Sequence, residues 1–241
     1  MMEELLPGFV VTVESLGDDG AEGAILHPEE RAVVARAVEK RRREFAVVRG
    51  CARRAMEKLG VPPGPVLPGD RGAPQWPAGL IGSMTHCEGY AAAALAHATD
   101  LASVGIDAEP HLALPEDVLG AVALPGEASR LDRLGTLTPA VHWDRLLFSA
   151  KESVYKAWFP LTGRWLDFSE ADIDFSTGRT LGAPGLSGGF RARLLVPGPV
   201  LDGVPVQVFD GSWTVRRGLV ATAVTVPHAP SGPVSGPDPG K

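Results

Sequence analysis

Two short segments carry the strongest chemical signal in this chain. The first is Gly105-Ile106-Asp107-Ala108-Glu109-Pro110; the second runs Phe148-Ser149-Ala150-Lys151-Glu152-Ser153-Val154-Tyr155-Lys156-Ala157-Trp158. Ser103-Val104-Gly105-Ile106 reads as a short apolar strand leading into two acids at i and i+2. Alternate side chains of a strand share a face, so Asp107 and Glu109 project together. The second segment reads as a helix. On it Glu152 and Lys156 stand one turn apart on a common face, whereas Lys151 points about 100° away. Three carboxylates and an ammonium are suited to holding a hard cation against a phosphate and neutralising a leaving group. An oxygen-rich, incompletely filled shell of Asp107, Glu109 and Glu152 favours Mg²⁺, with Mn²⁺ as the alternative. Mutual repulsion would raise the carboxylate pKa values until such a cation arrives.

A second group is basic. Arg49 and Arg53 are four apart and Arg41 lies eight before Arg49, one stripe of a helix that also bears an apolar stripe. Such stripes are commonly just solvated, and they also suit phosphate groups, which need cationic partners. His86 follows Gly82-Ser83-Met84-Thr85, which reads as a turn; a lone histidine is more often structural than catalytic.

The elements that must position these residues follow from periodicity. Phe9–Val13 reads as a strand, followed by an acidic, Gly-rich turn. Apolar residues recur at helical spacing from Pro28 to Leu59, with a break expected near Arg41, and Gly60 and Pro62-Pro63 close the run. Pro62 to Pro77 reads as a loop; Tyr90–Ala96 and Ser103–Asp107 read as two strands of one sheet. Helices are predicted at Pro115–Val122, Glu127–Leu134 and Trp143–Trp158. Strands are predicted at Phe190–Val196, Val204–Phe209, Trp213–Arg216 and Leu219–Val226. From about His228 to Lys241 the Pro/Gly/Ser composition buries too little apolar surface to order, so a disordered tail is expected.

The paired segments, in this order, resemble the 4′-phosphopantetheinyl transferase family of the Sfp/EntD-like type. That family carries a G-I-D-x-E segment and, further on, a W/F-x-x-K-E-[SA]-x-x-K helix. Lys40-Arg41-Arg42-Arg43-Glu44-Phe45, Cys51-Ala52-Arg53, Trp76-Pro77 and Gly82-Ser83-Met84-Thr85-His86-Cys87 match further family segments. Phe148 departs from the tryptophan of many members, which alters packing but no charge. The resemblance implies a pseudo-twofold α+β fold of two similar halves, residues 1–110 and 111–228, with the active site in the cleft between them and a tail at 229–241. It implies transfer of 4′-phosphopantetheine from CoA to a serine of an apo acyl- or peptidyl-carrier protein. Asp107, Glu109 and Glu152 would then hold the metal, with Glu152, or a metal-bound water, as the base. Lys156 would contact the phosphates and assist the departing nucleotide. Arg41, Arg49 and Arg53 are implied as CoA contacts. So are Arg71 near the nucleotide, His86 on a CoA phosphate with Ser83 or Thr85 beside it, and Trp165 near the pantetheine arm.

Composition bounds the alternatives. The chain has 241 residues, enough for one large or two small domains, and a net charge of −6 that disfavours a general nucleic-acid surface. No apolar run nears the roughly 20 residues that span a bilayer, and the acidic start is unlike a signal peptide. A cytosolic protein is the expectation, and the family resemblance implies a monomer. Cys51 and Cys87 have neither metal-site nor disulfide spacing and should be reduced and at least partly buried. Two rival classes remain: a metal-dependent phosphodiesterase using the same carboxylates, and a nucleic-acid-binding module using the Arg41–Arg54 helix.

Overall fold

Each of the two 20-residue helices of this protein lies across its own antiparallel sheet, and that repetition organises the α+β fold. The computed structural model describes residues 1–17, 25–178 and 186–229. Most of the Gly-rich turn (18–24) and nearly all of the tail (230–241) expected from composition lie outside the described residues.

The first half comprises β1 (Val11–Leu16), α1 (Pro28–Val33), α2 (Glu39–Lys58), β2 (Leu80–Cys87) and β3 (Tyr90–His97). The helical run breaks at residues 34–38, earlier than Arg41. Val33, Val34 and Val38 are β-branched, and the chain between the helices is held instead by a tight turn, Ala37 N–H to Val34 O, and by Arg42 Nε donating to Ala37 O. The segment read as a turn, Gly82–Thr85, is the middle of strand β2. Gly82 is needed there because a Cβ would sit 2.8 Å from Ala94 O and 3.0 Å from the Trp76 ring. β3 is central, flanked by β1 and β2, so both of its edges are filled.

β4 (Ser103–Pro110) is not in one sheet with β3, contrary to the sequence expectation. It pairs instead with β10 (Leu219–Val226), with Asp107 opposite Thr222. The second half adds α3 (Glu116–Val122), α4 (Pro125–Leu137), α5 (Trp143–Thr162), β5 (Ala171–Thr177), β6 (Leu186–Leu194), the small ribbon β7 (Val200–Leu201) and β8 (Val204–Pro205), and β9 (Val208–Arg216). Its sheet has the order β4-β10-β9-β6-β5. The two strands expected at Val204–Phe209 and Trp213–Arg216 are otherwise divided: Phe209 to Arg216 is continuous in β9. Asp210-Gly211-Ser212 reads as a break, but Gly211 lies opposite Phe190, whose ring fills the place of the missing side chain.

Trp158, Leu146, Leu147, Trp213, Phe209 and Ile173 form the core between α5 and the larger sheet; Cys51, Ala52, Met56 and Leu95 form that between α2 and the smaller. A third cluster of small residues, including Ala92, Ala94, Ile106, Ala108, Ala221 and Ala223, lies where the two sheets meet. Cys51 is buried, Cys87 is half-buried, and both are free thiols.

Candidate active site

One face of β4 does the positioning. Ser103, Gly105, Asp107 and Glu109 alternate along it, and α5 crosses it closely. A Cβ on Gly105 would fall 2.0 Å from Ser153 O and 2.7 Å from Ala157 N, so only glycine lets the helix approach this far. Ser103 Oγ donates to Ala157 O at 2.8 Å beside it. The contact delivers Lys156 to the middle of the strand, where its Nζ donates to Asp107 Oδ1 at 2.7 Å and to Ile106 O at 3.1 Å. Gly105 heads the acidic motif in the sequence, but its packing role did not follow from the motif; the signal was a glycine inside an otherwise apolar strand.

Asp107 is 4 % exposed, and its two oxygens differ. Oδ1 accepts from Lys156 and from Thr85 Oγ1 at 3.2 Å, whereas Oδ2 is buried with no hydrogen-bond partner. Glu109 accepts from Arg145 at 3.2 Å, and Arg145 also donates to Leu112 O and Ala113 O. Arg145 carried no sequence signal, because nothing in its spacing ties it to Glu109. Burial raises the pKa of Glu109, and Asp107 adds to the rise against Arg145 and Lys156. Burial likewise raises that of Glu152, with Lys156 opposing and Asp107 reinforcing.

The expected shell of three carboxylates is thus not closed: among the described residues no three His, Cys, Asp or Glu side chains stand close enough to hold a metal ion. Like charges separate when each finds its own cation, as Asp107 and Glu109 do here. The donor chemistry nevertheless fits a hard divalent cation. Asp107 Oδ2 is an orphaned buried oxygen, and the Asp107 charge is felt at both Glu109 and Glu152.

Beside this cluster opens a cavity of about 970 Å³. Glu152, Tyr155 and Lys156 of α5 line it, as do Arg41 and Arg49 of α2 and His86 of β2. Arg41 donates to His86 Nε2 at 2.6 Å, and burial followed by the Arg41 charge lowers the His86 pKa. His86 therefore accepts at Nε2, and in its neutral form carries the ring proton on Nδ1. Arg71, in a left-handed backbone conformation (φ +52°), lines the cavity and stacks 5.3 Å from the Trp165 ring. Trp165 is 55 % exposed and lies against Tyr155, ring centres 4.9 Å apart.

Several other cations, including the expected Arg49 and Arg53, are bound up in the protein. Arg49 is buried, with its guanidinium over the Phe45 ring and Nε donating to Val66 O, and burial pulls its pKa down to about 10. Arg53 pairs with the buried carboxylate of Glu30 and donates to Ile25 O, away from the cavity lining. Lys151 is buried, pairs with Glu127 at 2.8 Å and donates to Phe168 O and Ala171 O. Thr85 is 4 % exposed, its hydroxyl turned toward β4.

Two family models match the chain: "4′-phosphopantetheinyl transferase N-terminal domain" over residues 29–96 and "4′-phosphopantetheinyl transferase superfamily" over residues 103–191. The chain belongs to the 4′-phosphopantetheinyl transferase superfamily. It is 54 % identical over 233 residues to the 4′-phosphopantetheinyl transferase Svp of Streptomyces mobaraensis, covering 96 % of this chain and 91 % of the relative. It is 52 % identical to the 4′-phosphopantetheinyl transferase PptT of Mycobacterium tuberculosis, covering 83 % and 85 %. It is 49 % identical to the 4′-phosphopantetheinyl transferase Npt of Nocardia iowensis, covering 93 % and 99 %. The transferase class follows, and the phosphodiesterase and nucleic-acid readings are left without support. Phosphopantetheinyl transferases use CoA and act on carrier proteins. Among the described residues of this transferase no helix is long and apolar enough to cross a membrane. Phe148, at the tryptophan position of many family members, is half-buried against Phe168, with ring centres 5.9 Å apart.

Proposed function

We propose that this transferase moves the 4′-phosphopantetheine group of CoA onto a serine hydroxyl of an apo acyl- or peptidyl-carrier protein, releasing 3′,5′-ADP, and that it does so as a monomer in the cytosol. The observation that carries this reading is the convergence of two charge sets on one cavity: Glu152 and Lys156 of α5, with Lys156 paired to Asp107, and Arg41 of α2 bonded to His86 of β2.

Arg41 and the His86 ring N–H take the terminal 3′-phosphate of CoA, with buried Arg49 adding positive charge from behind. Arg71, Trp165 and Tyr155 flank the remainder of the donor at the rim. Mg²⁺ or Mn²⁺, held by Asp107 Oδ2, Glu109 and Glu152, would neutralise the pyrophosphate when bound. The acceptor serine attacks the phosphorus that carries pantetheine, and the bond from that phosphorus to the bridging oxygen breaks. The serine proton passes to Glu152, whose buried carboxylate has a raised proton affinity. Lys156 stabilises the charge that builds on the departing 3′,5′-ADP. Arg53, tied to Glu30, takes no part in binding. Carrier proteins are acidic helical bundles, and the exposed Lys40 and Arg42 with exposed Val33 and Val38 supply a basic and apolar rim for one.

The test is an incubation with CoA, Mg²⁺ and an apo carrier protein, read by intact mass, for wild type and Asp107→Ala. Wild type should add one phosphopantetheine, and folded Asp107→Ala should be nearly inactive. An unmodified carrier with wild type, or near-normal turnover by the variant, overturns the reading.

A further inference from the structure

β2 and β4 are edge strands of different sheets that run side by side, and no backbone ladder joins them. Hydroxyls stand in for it. Ser83 Oγ accepts from Ile106 N at 3.0 Å, and Thr85 Oγ1 accepts from Ala108 N at 3.1 Å. The two hydroxyls differ in what else they do. Thr85 also donates its only hydroxyl proton to Asp107 Oδ1, the oxygen that receives the Lys156 ammonium. Two donors on one oxygen fix the plane of the carboxylate and leave the buried Oδ2 as its one open acceptor. Thr85 is itself buried, held by the backbone N–H that follows Asp107, so its hydroxyl cannot swing to a ligand without breaking both bonds.

We propose that Thr85 is a positioning residue: its hydroxyl, anchored by the Ala108 N–H, orients the Asp107 carboxylate so that Oδ2 is presented to a divalent cation. The proposal rests on the reading of Asp107 as a cation ligand. It gives Thr85 a task distinct from contact with a CoA phosphate, which the family resemblance implies for this segment. Partners that orient a metal-binding carboxylate typically change metal affinity by about 10–100-fold when removed.

Full-length Thr85→Val removes the hydroxyl at nearly constant volume, and Thr85→Ser restores it. Mn²⁺ is the probe, with its binding followed by loss of the free-ion electron paramagnetic resonance signal, without CoA or carrier. Thr85→Val should bind Mn²⁺ about tenfold more weakly than wild type and need correspondingly more metal for half-maximal transfer. Its preference for CoA over dephospho-CoA should stay as in wild type, and Thr85→Ser should recover Mn²⁺ affinity. Ser83→Ala controls for the seam: it should lower the melting temperature as Thr85→Val does, yet bind Mn²⁺ like wild type. If Thr85→Val fails to fold, Thr85→Ala, which leaves room for a water at the Ala108 N–H, carries the same expectation. Wild-type Mn²⁺ affinity in the hydroxyl-free variant overturns the proposal, as does loss of the CoA preference or an equal loss of affinity in Ser83→Ala. Undiminished Mn²⁺ binding by Asp107→Ala would instead remove the underlying assignment of Asp107.

Discussion

The two halves of the molecule use one device and spend it differently. In each, a short helix begins with proline, and its third residue is a fully buried glutamate: Glu30 in α1 and Glu127 in α4. Each glutamate accepts from the backbone N–H just before its helix, His27 or Leu124. Each also accepts from a backbone N–H distant in sequence, Val66 or Ile173, and pairs with a cation of the following long helix, Arg53 or Lys151. Buried charges persist only when paired and fully hydrogen-bonded, which both carboxylates are. The difference lies in the cations left over. In the first half Arg41 faces the cavity with His86; in the second Lys156 faces it with Glu152, over Asp107. A helix rich in cations thus divides them between holding the half together and serving the cleft. The division follows which residues meet a buried acid, and charge content alone does not reveal it.

This contrast predicts that second-half substitutions act on turnover and first-half ones on CoA affinity. The largest effect is expected for Lys156→Ala, which should lower kcat by roughly two to three orders of magnitude with a modest change in KM for CoA. Steady-state kinetics checks this, and a pure KM effect would erase the distinction between the halves. Next come the paired glutamates. Glu127→Ala and Glu30→Ala should each cost about 3–5 kcal/mol in denaturant unfolding, because a buried cation loses its partner. The cost should be greater for Glu127, since the Lys151 side chain is 2 % exposed and that of Arg53 12 %. The reverse order would show that the two devices are not equivalent.

A smaller effect is expected at Arg41. Arg41→Ala should raise KM for CoA about tenfold, the scale of one charge-assisted contact, leave kcat nearly unchanged and narrow the preference over dephospho-CoA. Equal discrimination by variant and wild type would remove Arg41 from the terminal phosphate. Smallest of all is a gain. The folded-state pKa of Glu152 is raised by burial, so the folded protein favours its protonated form. Its charge therefore costs stability above the raised value, and the cost vanishes below the unfolded value near 4.5. Glu152→Gln should melt slightly higher than wild type at pH 8 and no higher at pH 4, although it loses transfer activity. Thermal melts at both pH values decide the point.

Much of the site was legible in the sequence because its spacing rules are local. A strand puts Asp107 and Glu109 on one face and a helix puts Glu152 and Lys156 on one face, whatever surrounds them. The long helices and most strands follow from apolar periodicity in the same way. Gly82-Ser83-Met84-Thr85 was misread because glycine and hydroxyl residues favour turns locally. In the fold Gly82 makes room for Trp76, and the hydroxyls bond another strand.

What the sequence alone determined is the inventory and its order: the acids, the ammonium, the arginine stripe and the α+β alternation that belong to this family. Which cation meets which acid was settled only in three dimensions. Arg145 reaches Glu109, Arg53 reaches Glu30 and Lys151 reaches Glu127 across 36, 23 and 24 positions of chain, separations that no local periodicity encodes. The sheet that β4 joins was decided there too: it pairs with β10, and the hydroxyls of Ser83 and Thr85 tie it to the edge of β2. Local geometry is written residue by residue, whereas burial and partner choice are properties of the whole packed chain.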